Sequence, residues 1–215
     1  HRLLPADSAL LGSSVCYDSD RMSVRIIAGK AKGRRLKVRQ VAGLRPTSDR
    51  ARETLFNVLA PQISNARFLD MFAGSGAVGI EALSRGASAA VFIEQDERVV
   101  TELEANLELC CFSVLGRVVH GSWQDALRRV GSTEDPFDII FLDPPYDWVD
   151  THTCVAAVFG HAMVSVNGVL IVEHRSKGDV QLIAGLKLLR QISVGDTAFS
   201  IFTARGNAKI LDRKQ

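Results

Sequence analysis

Four consecutive residues, Asp143-Pro144-Pro145-Tyr146, combine a hydrogen-bond acceptor, a stiff loop and an aromatic ring. Two adjacent prolines fix the backbone and remove two N–H donors, so the loop they form projects rigidly. The Asp143 carboxylate and the Pro144 carbonyl then stand as two fixed acceptors. That arrangement suits an exocyclic amine on a planar ring, whose nitrogen is a poor nucleophile because its lone pair is delocalised. Two acceptors, each taking one N–H, favour a pyramidal nitrogen and aim its lone pair at the methyl group of a donor, through orientation and electrostatics. Tyr146 can stack on the ring, a contact worth roughly 1–3 kcal/mol per base. In this reading Asp143 is an acceptor for a nitrogen that becomes positive, and need not remove a proton first.

A second cluster lies seventy residues earlier, in Leu69-Asp70-Met71-Phe72-Ala73-Gly74-Ser75-Gly76-Ala77-Val78-Gly79. Glycines at a strand-to-helix junction let backbone approach a ligand closely, and ligands of open α/β sheets sit at the carboxyl ends of the strands. Glu94, at the end of the next strand, can accept from both hydroxyls of a ribose. Gly74-x-Gly76-x-x-Gly79 with Glu94 formally matches a dinucleotide fingerprint. S-adenosylmethionine, an adenosine with a zwitterionic amino-acid tail, fits the same frame. Asp70 favours the second ligand, because a carboxylate near the loop attracts an ammonium and repels a pyrophosphate, although Asp70 could equally cap the following turn.

The surrounding pattern supplies the elements that position these groups. Strands are expected at Val24–Ala28 and Leu36–Val38 with a turn at Gly29–Gly33. A helix follows, capped by Ser48, carrying Ala51, Leu55, Val58 and Leu59 on one face and ended by Pro61. From Arg67 the chain alternates. Strands are expected at Phe68–Phe72, Ala89–Ile93, Val114–His120, Phe137–Leu142 and Val169–Glu173. Helices are expected at Gly76–Arg85, Glu97–Leu109, Ser122–Arg129 and Thr151–Phe159. Alternation of this kind implies a parallel, doubly wound sheet with helices on both faces. Lys187–Ser193 and Ala198–Thr203, linked through Gly195-Asp196, read as an antiparallel edge hairpin.

Charge is distributed unevenly. Met22 to Arg52 holds ten Lys or Arg (Arg25, Lys30, Lys32, Arg34, Arg35, Lys37, Arg39, Arg45, Arg50 and Arg52) against Asp49 alone, about +9 in a chain of net +2. This is an electrostatic footprint for a polyanion. His1 to Arg21 is irregular and is expected to be a disordered extension. No secretory pattern and no apolar run long enough to span a bilayer is read. Cys16, Cys110, Cys111 and Cys154 have no metal-ligand spacing, so no metal is expected, and reduced thiols point to the cytoplasm. His120, His152, His161 and His174 are scattered, Glu173 serves a turn or the site, and the acids of Glu97–Glu108 read as a solvated helix face.

Asp70-Met71-Phe72-Ala73-Gly74-Ser75-Gly76 with Asp143-Pro144-Pro145-Tyr146 resembles the amino-group methyltransferases of the class I fold. Arg25-Ile26-Ile27-Ala28-Gly29, Arg45-Pro46-Thr47, Arg52-Glu53-Thr54-Leu55-Phe56-Asn57, Glu81-Ala82-Leu83-Ser84-Arg85-Gly86-Ala87 and Gly195-Asp196-Thr197 narrow the likeness. From Met22 to about Thr203 the chain resembles the bacterial family that methylates guanine N2 in small-subunit ribosomal RNA. The resemblance implies a seven-stranded, mostly parallel α/β sheet with an antiparallel last strand and a small basic N-terminal hairpin. It implies catalysis by Asp143, Pro144, Pro145 and Tyr146. Asp70, Met71, Phe72, Ala73, Gly74, Ser75 and Gly76 would line the methionine part of the cofactor, with Glu94 and its neighbour Gln95 at the ribose. Ser122 and Trp123 would flank the adenine. Many relatives carry an acid where Ser122 stands, and Trp123 either covers the adenine or belongs to the core. The RNA grip would come from Arg25, Lys30, Lys32, Arg34, Arg35, Arg45 and Thr47, and whether Arg45 to Thr47 touches RNA or cofactor stays open. Residues 22–60 would be an RNA-binding appendage to a methyltransferase domain at 61–215. The partner would be small-subunit ribosomal RNA or its assembling particle, met by a monomer without a membrane.

Three other readings compete. A DNA adenine or cytosine amino-methyltransferase would use the same acceptors, but base flipping from a duplex calls for more contacts than a hairpin offers. A basic hairpin suits folded RNA better. A non-catalytic nucleic-acid-binding protein leaves the intact Asp143–Tyr146 motif without a use. A nicotinamide-dependent oxidoreductase leaves the double proline without one.

Overall fold

The computed structural model describes residues 23–38, 47–144, 151–177 and 186–204. In chain order the elements are β1 (Ser23–Arg25), β2 (Arg35–Lys37), α1 (Asp49–Ile63), β3 (Arg67–Asp70), α2 (Ala77–Ser84), β4 (Ala89–Glu94) and α3 (Glu97–Leu109). Then come β5 (Gly116–His120), α4 (Trp123–Thr133), β6 (Phe137–Leu142), α5 (Thr151–Gly160), β7 (Val164–Arg175), β8 (Leu186–Val194) and β9 (Thr197–Ala204). β1 and β2 form an antiparallel hairpin, and the other strands form one seven-stranded sheet in the order β5-β4-β3-β6-β7-β9-β8. The pairs among β3 to β7 are parallel, and β9 runs antiparallel between β7 and β8. The doubly wound sheet and the basic hairpin are thus as the sequence leads one to expect.

Strand side chains alternate between two buried layers. Phe68, Phe92, Ile139, Phe141 and Ile171 pack with α1, α2 and α3, while Leu69, Val91, Ile93, Ile140, Leu142 and Val172 pack with α4 and α5. Burial on both faces is why these strands read as continuous apolar runs. Val24, Ile26 and Leu36 of the hairpin region and Leu55, Phe56 and Leu59 of α1 share the first layer with the sheet.

Several boundaries differ from expectation, each for a local reason. β1 stops at Arg25 because the Ile27 and Ala28 N–H groups donate to Glu81 on α2 instead of to β2. Pro61 does not end α1, which runs on to Ile63. Pro61 sits in the last turn, and the buried Ile63 secures the residues after it, so packing outweighs the local cost of the ring. α4 continues past Arg129 to Thr133, with Val130 fully buried. β7 begins five residues early, ahead of an irregular register against β6. Residues 1–21 lie outside the described residues. Among the described residues no helix is long and apolar enough to cross a membrane.

Candidate active site

The sheet reverses its winding at β3, whose neighbours are β4 on one side and β6 on the other, and a crevice opens there beyond the carboxyl ends. The register sets a row of acids along that edge. Asp70 pairs with Phe92 of β4 and Phe141 of β6, two residues before Glu94 and Asp143. Leu142 pairs with Val172, so Asp143 and Glu173 follow side by side. Glu94, Asp70, Asp143 and Glu173 therefore come from four adjacent strands. The crevice holds a cavity of about 280 Å³, walled by Asp70 to Ser75, Glu94 to Asp96, Trp123, Phe141 and Asp143, and also by Val38, Thr47, Val99 and Glu102.

The glycine loop is built to turn sharply. Gly76 is the N-cap of α2 with φ +78°, and a Cβ there would come within 2.2 Å of Leu103 Cδ1, so a larger residue would strain the backbone and displace Leu103. The Gly74 N–H donates to Glu94 Oε2 (3.0 Å), while the Gln95 and Asp96 N–H groups donate to Oε1 (2.8 and 2.9 Å). These bonds fix Glu94 against the cavity. The Gly79 N–H donates to Asp70 Oδ2 (3.1 Å). Asp70 thus caps the first turn of α2 and also lines the cavity.

Burial dominates the electrostatics. Asp70, 1% exposed, is pushed up to about 7 by desolvation, against the Gly79 hydrogen bond and with Asp143 and Glu94 adding to the rise. Desolvation pushes Asp143 up to about 7 as well. Glu173, 3% exposed, rises to about 8 through burial and then the neighbouring Asp143, opposed by the Thr47 hydroxyl, which donates to Glu173 Oε2 (2.7 Å). The cavity wall carries the carboxyl groups of Asp70, Glu94, Asp96, Glu102 and Asp143 and, among the described residues, no Lys or Arg. These carboxylates oppose an anionic pyrophosphate and favour a ligand bearing positive charge.

The structure brings together on one cavity wall Asp70, Met71, Phe72, Ala73, Gly74, Ser75, Glu94, Gln95, Trp123 and Asp143. Pro144 is buried directly behind Asp143. Pro145, Tyr146 and Arg45 lie outside the described residues. Ser122 is occupied elsewhere: its hydroxyl caps α4, accepting from the Asp125 N–H (3.2 Å) and donating to Asp125 Oδ2 (2.8 Å), and the cavity is lined by its neighbours Gly121 and Trp123. Thr47 is buried at the cavity and bonded to Glu173. Arg25, Lys30, Lys32, Arg34 and Arg35 are exposed on the hairpin. Arg52, counted in the same basic run, is fully buried. It donates to the Arg25 carbonyl (2.7 Å) and Asp49 Oδ1 (2.6 Å), and burial lowers its pKa. His174 shares a hydrogen bond with Ser200 Oγ and His120 one with the Gln95 carbonyl, as satisfied histidines do.

Sequence reasoning passed over Asp96, Val99 and Glu102 as site residues. Glu102 was assigned to a solvated helix face, but it lies three residues after Val99 and turns with it to the cavity. The available signal was that spacing, counted from the acidic loop that starts α3.

A family described as "Conserved hypothetical protein 95" matches residues 24–203. Ribosomal RNA small subunit methyltransferase D of Haemophilus influenzae Rd is 37% identical over 180 residues, covering 83% of this chain and 93% of the relative. YlbH of Bacillus subtilis (strain 168) is 32% identical over 184 residues, covering 85% of this chain and 100% of the relative. Among solved structures, yhhF of Escherichia coli superposes with a TM-score of 0.73 at 36% identity, covering 85% of this chain and 98% of that one.

Proposed function

The chain belongs to the ribosomal RNA small subunit methyltransferase D family, and from that premise we propose that it methylates the exocyclic N2 of a guanine in small-subunit ribosomal RNA with S-adenosylmethionine as donor. The observation that carries the reading is the meeting of Asp143 with the Asp70–Ser75 loop on one cavity wall.

The residues present fit this cofactor. A wall of carboxyl groups with no Lys or Arg among the described residues suits a sulfonium and an ammonium. The fixed Glu94 suits ribose hydroxyls, and the Trp123 ring at the cavity suits a flat purine. When bound, the cofactor supplies an electrophilic methyl group on sulfur.

The chain supplies position. Asp143 accepts one N–H of the guanine amine and the Pro144 carbonyl accepts the other, which holds the nitrogen pyramidal with its lone pair directed into the cavity. Tyr146 stacks on the base. Asp143 accepts best as a carboxylate, so proton loss from its raised pKa prepares the site. Residues 22–60 act as the RNA-binding part and residues 61–215 as the methyl-transfer part, with Arg25, Lys30, Lys32, Arg34, Arg35 and Arg45 on phosphates. The two parts share one hydrophobic layer, so the division is one of task and not of packing. We assign the protein to the cytoplasm as a monomer, acting on the RNA or on its assembling particle.

The test is to incubate the protein with radiolabelled methyl donor and, separately, ribosomal RNA, small-subunit particles and DNA, then to identify the modified base by mass spectrometry. N2-methylguanine in small-subunit RNA, free or in the particle, is expected. Label on DNA alone, or on another base, overturns the proposal.

A further inference from the structure

α3 carries Val99, Glu102, Leu103 and Asn106 on one face, at the i, i+3, i+4, i+7 spacing of a helical stripe. Val99 and Glu102 line the cavity, and Leu103 fills the space beside Gly76. Asn106 is 0% exposed. Its Nδ2 donates to the Ser75 carbonyl in the glycine loop (3.0 Å) and to the Lys37 carbonyl in β2 (2.9 Å), and its Oδ1 accepts from the Lys37 N–H (2.9 Å). Both donors of the carboxamide and its oxygen are thus in use, joining the cofactor loop to the basic hairpin through one side chain. Val38, the next residue, already belongs to the cavity wall.

The hairpin is fastened on its other side to α2, the helix that starts from the same glycine loop. Glu81 accepts from the Ile27 and Ala28 N–H groups (2.8 and 3.0 Å). The Ser84 hydroxyl accepts from the Ala31 N–H (2.9 Å) and donates to the Ala28 carbonyl (2.5 Å), and the Lys30 N–H donates to the Ser84 carbonyl (2.8 Å). Gly29, with φ +81°, lies so close to α2 that a Cβ would fall 1.8 Å from that carbonyl. The bases that face solvent therefore stand on backbone held from two helices, and both helices border the cavity.

Given the functional reading above, we infer that Asn106 is a positioning residue that couples the glycine loop to the basic hairpin, so that filling the cavity tightens the grip on RNA. A ligand that orders the Ser75 carbonyl fixes Asn106, and with it both backbone groups of Lys37. A buried polar contact transmits this because loosening it leaves three groups unpaired. Linkage makes the effect mutual: RNA on the hairpin must tighten cofactor binding by the same factor.

The experiment is a four-way binding measurement on the full chain. S-adenosylhomocysteine serves as the cavity probe and small-subunit ribosomal RNA as the hairpin probe, each titrated with and without the other, for the native protein and for Asn106→Ala. In the native protein each ligand should tighten the other about fivefold or more, the lower end of ordinary coupling. In Asn106→Ala the ratio should fall toward one. A role in stability alone would lower the melting temperature and leave the ratio intact. A second measurement needs no variant: S-adenosylhomocysteine should slow hydrogen exchange at the Lys37 amide, which donates to Asn106 Oδ1 and lies outside the cavity wall. A native ratio of one, an undiminished ratio in Asn106→Ala, or unchanged exchange at the Lys37 amide overturns the coupling alone. A native protein that binds neither probe overturns the functional reading and the coupling together.

Discussion

The hairpin and the carboxyl edge of the sheet carry opposite charges in opposite surroundings. Arg25, Lys30, Lys32, Arg34, Arg35 and Lys37 are exposed, with Arg25 also 3.6 Å from Asp49, so their charges reach a partner mainly through screened, long-range attraction. Asp70 and Glu173 are buried and Asp143 is half-buried, and loss of water raises the pKa of each carboxyl group. The contrast separates two jobs. Exposed bases attract a polyanion without reading its sequence, while desolvated acids are sensitive to single atoms and single protons. Substitutions in the two regions should therefore fail in different ways: one set in affinity and salt response, the other in turnover and pH response.

The largest expected effect is at Asp143. Asp143→Ala should lower turnover by about 10²–10³-fold, the scale of losing one preorganised electrostatic contact, and should retain binding of S-adenosylhomocysteine in a calorimeter. Unchanged turnover removes Asp143 from its role. Loss of ligand binding together with turnover would make it part of the cofactor cradle, and the distinction between the two regions would need redrawing.

A smaller effect is expected on the hairpin. With about five phosphate contacts, RNA affinity should fall roughly a hundredfold between about 50 and 200 mM salt, and each base removed should flatten the logarithmic slope by about 0.7. Lys30→Ala and Lys32→Ala, assayed by filter binding across a salt series, should do this without moving the melting temperature, since both side chains are exposed. A salt-independent affinity would deny the hairpin its electrostatic part.

The same contrast governs what could be read from sequence. The row Asp70, Glu94, Asp143 was legible because each acid closes an apolar run that must be a buried strand, and strand ends of such a sheet face one crevice. The bases were legible because they are contiguous. The joints between the regions were not. Thr47 meets Glu173 across 126 residues, Asn106 meets Lys37 across 69, and Ile27 meets Glu81 across 54. A polar residue on an amphipathic helix looks solvated until the segment that covers it is known. Arg52 shows the reverse error, a cation in a basic run that folding buries against the Arg25 carbonyl and Asp49. The resemblance set Ser122 beside the adenine, but its hydrogen bonds with Asp125, which cap α4, could not be told from that resemblance.

The mildest expected effect is on stability, at Asp70. Its pKa is about 7 in the folded protein, against about 3.9 for an unfolded aspartate. A raised folded pKa contributes stability that is fully present below the unfolded value and is lost as pH rises through the folded value. Between about pH 4 and 7 the ligand-free protein therefore loses stability from this group, and above that range it holds a buried charge at full cost. Asp70→Asn keeps an oxygen for the Gly79 N–H and removes the charge. Its melting temperature should exceed that of the native protein by a few degrees at pH 8, on a scale of about 2–4 °C per kcal/mol for a chain of this size, and by less at pH 5. S-adenosylhomocysteine should narrow the gap at pH 8, because its ammonium compensates the native carboxylate and gives the asparagine nothing comparable. The same substitution should weaken binding of that ligand. A melting temperature that falls at pH 8, or a gap that widens toward pH 5, would mean that Asp70 is compensated within the protein, and the cavity's demand for a cation would lose its strongest support.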